Sequence, residues 1–502
     1  HPRYFNFPGD RPDFLRDPKQ VAEKLSNILS VSSNELYSKM NRRDSGIKIA
    51  SDLSQEQATK IRQLRISGLD LEPYLERLYP QGFLYANVVG FLNQERIPQA
   101  GLEQSLNKQL LVQEKTHILR RGGDGTPLPD DLTSGIFHPN HSTLQLTLDS
   151  RLQELAFNTL KEQISNWKAK RGVAIVMDST NGELLALASI PTYNPNKYWN
   201  FSPILFKEWS VQDLFEPGST FKPINLALAL QERVVDFDHI VDDPGKMVVG
   251  GWPIHNHDRL PNGVINLAQV LQVSSNVGMV KVMSKLDPGI YWDWLHRLGI
   301  DVKPITDLPG AVAGQLKNKE DFVSQPIEPA VASYGQGFSL TPLKLIQLHA
   351  LLVNGGYLVN PRITKNHDLE DSFNDLQSKD STPLFRPEVT EYILESMQSV
   401  VDLGTGFGVK IPGYQIGGKT GTAEKVVNGS YLPGVKICSF VANLPLDNPR
   451  YVVLVVVDEP IGENAYGSTV ALPVAKKIIE GLLVLEKIPP SNNKKSLRPA
   501  GN

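Results

Sequence analysis

With a single cysteine, Cys438, in 502 residues, the chain cannot carry a disulfide framework. That cysteine stands in the apolar run Val435 to Val441, where a buried small hydrophobe is the plain reading. Sparse cysteine is compatible with an extracytoplasmic home. No stretch reaches the roughly 18 apolar residues that span a bilayer. The longest apolar run, Tyr451 to Val457, has the length of a buried strand. Neither sign of charge is in large excess: the net charge is −3, and no basic stripe occurs outside the Lys494-Lys495 tail, which argues against nucleic acid as a partner. Beyond His255-Asn256-His257-Asp258, read as a solvated loop, no tight cluster of metal-ligating residues occurs, so neither metal nor cofactor is expected. The chain begins at His1 and lacks a signal-peptide pattern, so a segment cut from a longer protein is expected.

What is present reads as more than one domain. Residues 1 to about 120 are mixed and polar, with helical periodicity over Pro18 to Leu29 and Gln55 to Leu64, and a non-catalytic module is expected over 1–140. Arg120 to Pro129 is rich in glycine and proline and is the best linker candidate. A compact domain is expected over 141–488, followed by a polar tail at 489–502. Within it, Gly172 to Asp178 and Glu183 to Ser189 are apolar runs joined by Ser179-Thr180-Asn181-Gly182, a hairpin signal. Mainly helical patterns follow to about residue 400, and Tyr414 to Glu424, Lys436 to Asn443 and Tyr451 to Asp458 are strand-like. Strands, then helices, then strands predict an α+β fold in which helices cover an antiparallel sheet.

Three motifs lie on this frame in order: Ser219-Thr220-Phe221-Lys222, Ser274-Ser275-Asn276 and Lys419-Thr420-Gly421-Thr422. Together they carry the signature of a serine acyltransferase of the penicillin-recognising kind. Ser-x-x-Lys also occurs at Ser45/Lys48, Ser105/Lys108, Ser165/Lys168 and Ser491/Lys494, so context must choose. Only Ser219 follows a turn, Glu216-Pro217-Gly218, and opens a buried apolar helix at Ile224 to Leu230. There Ser219 and Lys222 share a face, the amine can reach the hydroxyl, and the positive helix end favours an oxyanion nearby. Pro223 falls in the first turn, where proline costs least. The bland alternative is an ordinary N-cap serine. Ser274-Ser275-Asn276 is expected at a turn between two helices, Leu267 to Val273 and Val277 to Leu286.

A rival pattern is the P-loop-like Gly413 to Thr420, with Val452 to Val457 and Asp458-Glu459 imitating a Walker B strand. A P-loop lysine opens a helix whose N-terminus faces phosphate. Here Gly421 follows at once, and Asn428-Gly429 and Pro433-Gly434 leave short strands joined by turns, which leaves an ATPase as the remote alternative.

Taken with Leu78-Tyr79-Pro80, Val89-Gly90-Phe91, Gly101-Leu102-Glu103, Tyr193-Asn194-Pro195-Asn196 and Tyr334-Gly335-Gln336-Gly337, the motifs make the chain resemble class B penicillin-binding proteins. The closest resemblance is to septal, FtsI-type peptidoglycan D,D-transpeptidases, chiefly on Asn276 and on Lys425 after Thr-Ala-Glu. The resemblance implies a serine β-lactamase-like domain with a five-stranded antiparallel sheet, preceded by an elongated α+β pedestal. It also implies a cytoplasmic tail, a membrane helix and a first pedestal strand ahead of His1, and a place on the periplasmic face of the inner membrane. The implied donor is a stem peptide ending in D-Ala-D-Ala, with Ser219 as nucleophile and Lys222 as base, its ammonium disfavoured by burial and by Lys419. Ser274 would relay a proton and Asn276 would orient Lys222. Lys419, Thr420, Gly421 and Thr422 would bind the terminal carboxylate, and the N–H groups of Ser219 and Thr422 would form the oxyanion hole. β-Lactams would acylate Ser219, and a SEDS-type glycan polymerase and divisome proteins would be partners. An elongation-type transpeptidase, a D,D-carboxypeptidase, a β-lactamase and a penicillin-binding sensor or division scaffold remain alternatives.

Overall fold

The computed structural model describes residues 2–3, 17–42, 47–51, 53–73, 77–110, 143–365, 382–427 and 430–491. The proposed linker at 120–129, the 140/141 boundary and Asn428-Gly429 lie outside them. The chain divides into two compact units, His1–Pro80 and Gln81–Asn502.

The first unit holds α1 (Pro18–Leu29), α2 (Ser33–Met40) and α3 (Gln55–Gln63). Asp17 caps α1 by accepting from the N–H groups of Lys19 and Gln20, and Ser54 with Gln57 forms a capping box on α3. These caps satisfy amides that the first helical turn leaves unpaired. Val21, Leu25, Leu36, Met40 and Ile61 supply the small core.

The second unit is built on a five-stranded sheet. Its early elements are α4 (Ser150–Asn166), β1 (Arg171–Asp178) and β2 (Leu184–Ile190), then α5 (Lys222–Gln231). Two small strand pairs follow, formed by β3 (Ile240–Asp243), β4 (Lys246–Val249), β5 (Trp252–His255) and β6 (Gly263–Asn266). Helices α6 (Leu267–Gln272), α7 (Asn276–Met283), α8 (Pro342–Val353) and α9 (Pro387–Leu403) lead to β7 (Gly417–Val427), β8 (Ser430–Leu444), β9 (Tyr451–Asp458) and α10 (Leu472–Leu485). The sheet order is β7-β8-β9-β1-β2, antiparallel throughout, as the sequence led one to expect.

Side chains alternate across a strand, and in β9 both faces meet a core. Val453, Val455 and Val457 pack with α4 and α10 through Leu152, Leu160, Ile478 and Leu482. Val452, Leu454 and Val456 point into the other core, with Ile224, Leu228, Leu348 and Leu352. Burial on two faces is why these strands read as unbroken apolar runs and not as alternating ones. Each such side chain contributes about 1.5–3 kcal/mol relative to exposure. Cys438 lies in this sheet, buried and free, its thiol pushed up to about 12 by burial.

Residues 81–110, which the sequence reading gave to the first module, belong to the second unit. Phe91 stacks on Tyr198 at 4.4 Å and meets Phe206 edge-on at 4.7 Å, and the Tyr193 hydroxyl donates to Ala86 O at 2.9 Å. The pairs β3/β6 and β4/β5 were not anticipated in a stretch read as mainly helical. They are short, and β3 alternates exposed and buried residues, so Asp243 points inward. Among the described residues no helix is long and apolar enough to cross a membrane.

Candidate active site

Ser219 sits on a single 3₁₀ turn, Gly218–Phe221, that runs directly into α5. Gly218 has a φ of 56°, and its N–H donates to Gly335 O at 2.9 Å. A side chain at Gly335 is impossible without movement, because its Cβ would stand 2.1 Å from Gly218 O. Glu216 accepts from Gly337 N at 3.0 Å, and Thr220 Oγ1 donates to Pro217 O at 2.7 Å. Beneath the turn, buried His349 places Nε2 2.8 Å from Thr220 O; burial pulls its pKa down to about 4, so the neutral ring donates there. The turn is therefore rigid, and Ser219 alone is half-buried between buried Gly218 and Thr220.

Lys222, first residue of α5, is fully buried. Its amine donates to Ser274 O at 2.6 Å, to Asn276 Oδ1 at 2.7 Å and to Ser274 Oγ at 3.3 Å. These bonds go to the second motif, whereas the three-residue spacing alone had pointed to the Ser219 hydroxyl. Lys419, fully buried near the start of β7, donates to Ser274 Oγ at 2.8 Å and to Thr420 O at 3.1 Å. Two amines thus converge on one hydroxyl. Burial, and then the Lys419 charge, hold the Lys222 ammonium well below the usual lysine range. Burial brings Lys419 down to about 7.

Ser274 occupies the turn between α6 and α7 with φ 57°, a left-handed conformation that costs a non-glycine residue about 1–3 kcal/mol and that surrounding structure must enforce. The anticipated helix-helix turn is present, and Ser275 caps α7 through Gly278 N at 2.7 Å.

On β7, Thr420 Oγ1 lies 2.8 Å from Thr405 Oγ1, and Thr422 Oγ1 accepts from Gly467 N at 3.0 Å. Gly421 lets the strand pass against the Ser219 turn: a Cβ there would meet Ser439 Oγ at 2.3 Å and Thr220 Cγ2 at 2.9 Å. The same strand answers the P-loop pattern. Lys419 pairs in register with Val441 of an antiparallel neighbour and opens no helix, so no helix N-terminus is offered to a phosphate. Among the decoy serines, Ser165 lies inside α4 and Ser105 on a short helix, while Ser45 and Lys494 fall outside the described residues.

Residues 172–480 match the family described as penicillin binding protein transpeptidase domain, and residues 10–120 match the penicillin-binding protein dimerisation domain. The peptidoglycan D,D-transpeptidase FtsI homolog of Mesostigma viride is 37% identical, over 95% of this chain and 84% of that one. The chain belongs to the class B penicillin-binding proteins of the FtsI type. The peptidoglycan D,D-transpeptidase FtsI of Escherichia coli K12 is 30% identical, over 94% of this chain and 80% of its own. Among solved structures, the apo transpeptidase domain of Burkholderia pseudomallei penicillin-binding protein 3 shares 32% identity with a TM-score of 0.61, covering 69% of this chain and 98% of that domain.

In this penicillin-binding protein, sequence reasoning missed Asp243, His349 and Thr405 and misread Asn256. His257 and Asp258 are exposed, but Asn256 between His255 and His257 is buried and accepts from Asn276 N at 3.0 Å, so the stretch is no solvated loop there. No local signal marked it. Apart from Leu260 O, the side-chain partners of Asn256 lie 13 to 21 residues away in sequence.

Proposed function

We propose that the chain is a peptidoglycan D,D-transpeptidase that cross-links stem peptides through an acyl-enzyme on Ser219 during septal wall synthesis, and that β-lactams block it by acylating the same serine. The observation that carries the reading is the pair of buried lysines meeting at Ser274 Oγ, one of them on the helix that the half-buried Ser219 opens.

In the first step Lys222, neutral because of burial and Lys419, takes the Ser219 proton as the oxygen bonds to the penultimate D-Ala carbonyl carbon. The N–H groups of Ser219 and Thr422 stabilise the oxyanion, a donor of this kind being worth about 2.7–4 kcal/mol. Collapse breaks the C–N bond to the terminal D-Ala, whose nitrogen receives the proton through Ser274. Asn276 orients Lys222, and charged Lys419 with Thr420 and Thr422 hold the terminal carboxylate, Gly421 keeping the strand close. The amine of a second stem peptide then attacks the ester carbonyl, loses its proton to the base and frees Ser219. No metal or cofactor enters the scheme.

The organisation proposed with it is a pedestal over 1–140, a transpeptidase domain over 141–488 and a tail over 489–502; the family matches at 10–120 and 172–480 support it by descent, although residues 81–110 pack within the second compact unit. The periplasmic face of the inner membrane, with an anchor ahead of the pedestal, and a SEDS-type polymerase and divisome proteins as partners, follow from the family resemblance.

The test is incubation with a stem-peptide thioester donor and an amine acceptor, with products resolved by mass spectrometry. Cross-linked or amine-exchanged product, absent with Ser219→Ala, is expected. Hydrolysis alone would make it a carboxypeptidase, and no turnover of any donor would favour the sensor reading.

A further inference from the structure

We propose that Asp243 and Asn256 form a buried positioning pair that fixes Asn276, and through it the Lys222 amine, in the geometry that acylation requires. The inference rests on Lys222 being the base of the reaction above.

Asp243 is fully buried on the inward face of β3. Its Oδ2 accepts from Ser275 Oγ at 2.6 Å, Asn262 Nδ2 at 2.6 Å and Asn256 Nδ2 at 2.8 Å, and its Oδ1 accepts from Gly245 N at 2.8 Å and Asn256 Nδ2 at 2.9 Å. Burial pushes this carboxyl up, but the bonds from Ser275, Asn262, Gly245 and Asn256 outweigh it and hold it below the usual carboxylate range. A charged carboxylate therefore faces a set of donors. Because Asn256 Nδ2 is taken by Asp243 and by Leu260 O at 3.1 Å, its Oδ1 must face the other way. There it accepts from Asn276 N at 3.0 Å and Val277 N at 3.2 Å, two amides that the start of α7 leaves without helical partners.

The side chain of Asn276 is oriented by the same segment. Its Nδ2 donates to His255 O at 3.0 Å, so Oδ1 is the atom turned to Lys222 Nζ at 2.7 Å. Ser275, which donates to Asp243, also caps α7, and this holds the left-handed Ser274 whose carbonyl receives the same amine. The two nearest hydrogen-bond acceptors of Lys222, Ser274 O and Asn276 Oδ1, are thus anchored on one carboxylate–amide pair, although neither Asp243 nor Asn256 bonds the amine. Asp243 also acts through its charge. Lys222 is faced by the positive Lys419 from β7 and by the negative Asp243 from β3, which oppose one another.

The test compares wild type, Asn256→Asp, Asp243→Asn and the double swap Asp243→Asn/Asn256→Asp in acylation by a fluorescent penicillin from pH 5.5 to 9, with melting curves for each. Asn256→Asp keeps size and acceptor but sets a carboxylate against Asp243; the swap restores a donor facing an acceptor. Expected is a loss of about 100-fold in the acylation rate of Asn256→Asp, as for a base displaced by an ångström, with at least about tenfold recovered in the swap. In Asp243→Asn the removed charge lowers the Lys222 pKa further, so the acid limb moves to lower pH. That movement is read from the shape of the profile, even where Asn256→Asp folds poorly. Acylation of Asn256→Asp within about threefold of wild type, or a rate loss without recovery in the swap and without movement of the acid limb, overturns the inference and leaves a purely structural pair. Wild-type chain that does not label at all overturns the assignment of Ser219 and Lys222, and this inference with it.

Discussion

Replacing Lys419 by arginine should abolish the alkaline limb of acylation. The ammonium of Lys419 is expected to pair with the donor carboxylate, yet burial brings its pKa to about 7. The protonated fraction of such a group falls from about one half at pH 7 to about one hundredth at pH 9, so the second-order acylation constant should drop roughly 50-fold over that interval. Lys222 must be neutral to act as base, and its pKa is held well below the usual lysine range. Acylation is therefore limited by Lys222 on the acid side and by Lys419 on the alkaline side, a bell whose limbs report the free enzyme. Arginine does not deprotonate in this range, so Lys419→Arg should show a lower plateau, because the larger group must fit a fully buried position, and a profile flat from pH 7 to 9. The assay is stopped-flow or gel-based labelling with a penicillin whose own charge is constant over the range. A wild-type profile that stays flat to pH 9, or an alkaline limb that survives in Lys419→Arg, would refute the reasoning.

Other consequences are as direct. Lys222→Ala should slow acylation by about 10²- to 10⁴-fold, since the proposed general base is lost; near-normal rates would move the base elsewhere. Gly335→Ala should lower stability by about 1–3 kcal/mol or more and depress acylation, because φ is 85° and the new Cβ would press on Gly218 O beside the nucleophile. Unchanged melting and rate would mean that the turn tolerates the contact. Cys438 should resist alkylation by iodoacetamide in the native state and react promptly once the protein is unfolded, because it is buried in the sheet and its thiol pKa is pushed up to about 12. Rapid native-state modification would contradict that burial.

How far the site was legible in the sequence depended on distance along the chain. Ser219 and Lys222 could be placed at the start of a buried helix because a turn and an apolar run surround them, and the strands at 171–178 and 451–458 could be found because burial on both faces makes them continuously apolar. Spacing alone gave none of the partners of Lys222, and only the family resemblance pointed to Asn276. Spacing relates residues one helical turn apart, whereas the bonds that aim the amine cross 52 and 54 residues, to Ser274 and Asn276. Asp243 supports Ser275 from 32 residues away, and its only local mark is the period-two burial of a four-residue strand. Thr405 reaches Thr420 across the gap between α9 and β7, with nothing in its own neighbourhood to distinguish it from a loop threonine. Polar clusters of this sort are assembled by the fold, and composition does not announce them.

The central claim is that Ser219 is the acylated nucleophile. Intact-protein mass spectrometry after incubation with benzylpenicillin, followed by peptide mapping, tests it most directly. One long-lived penicilloyl adduct per chain on the peptide carrying Ser219, absent from Ser219→Ala, is predicted. An adduct elsewhere, or none, would contradict it.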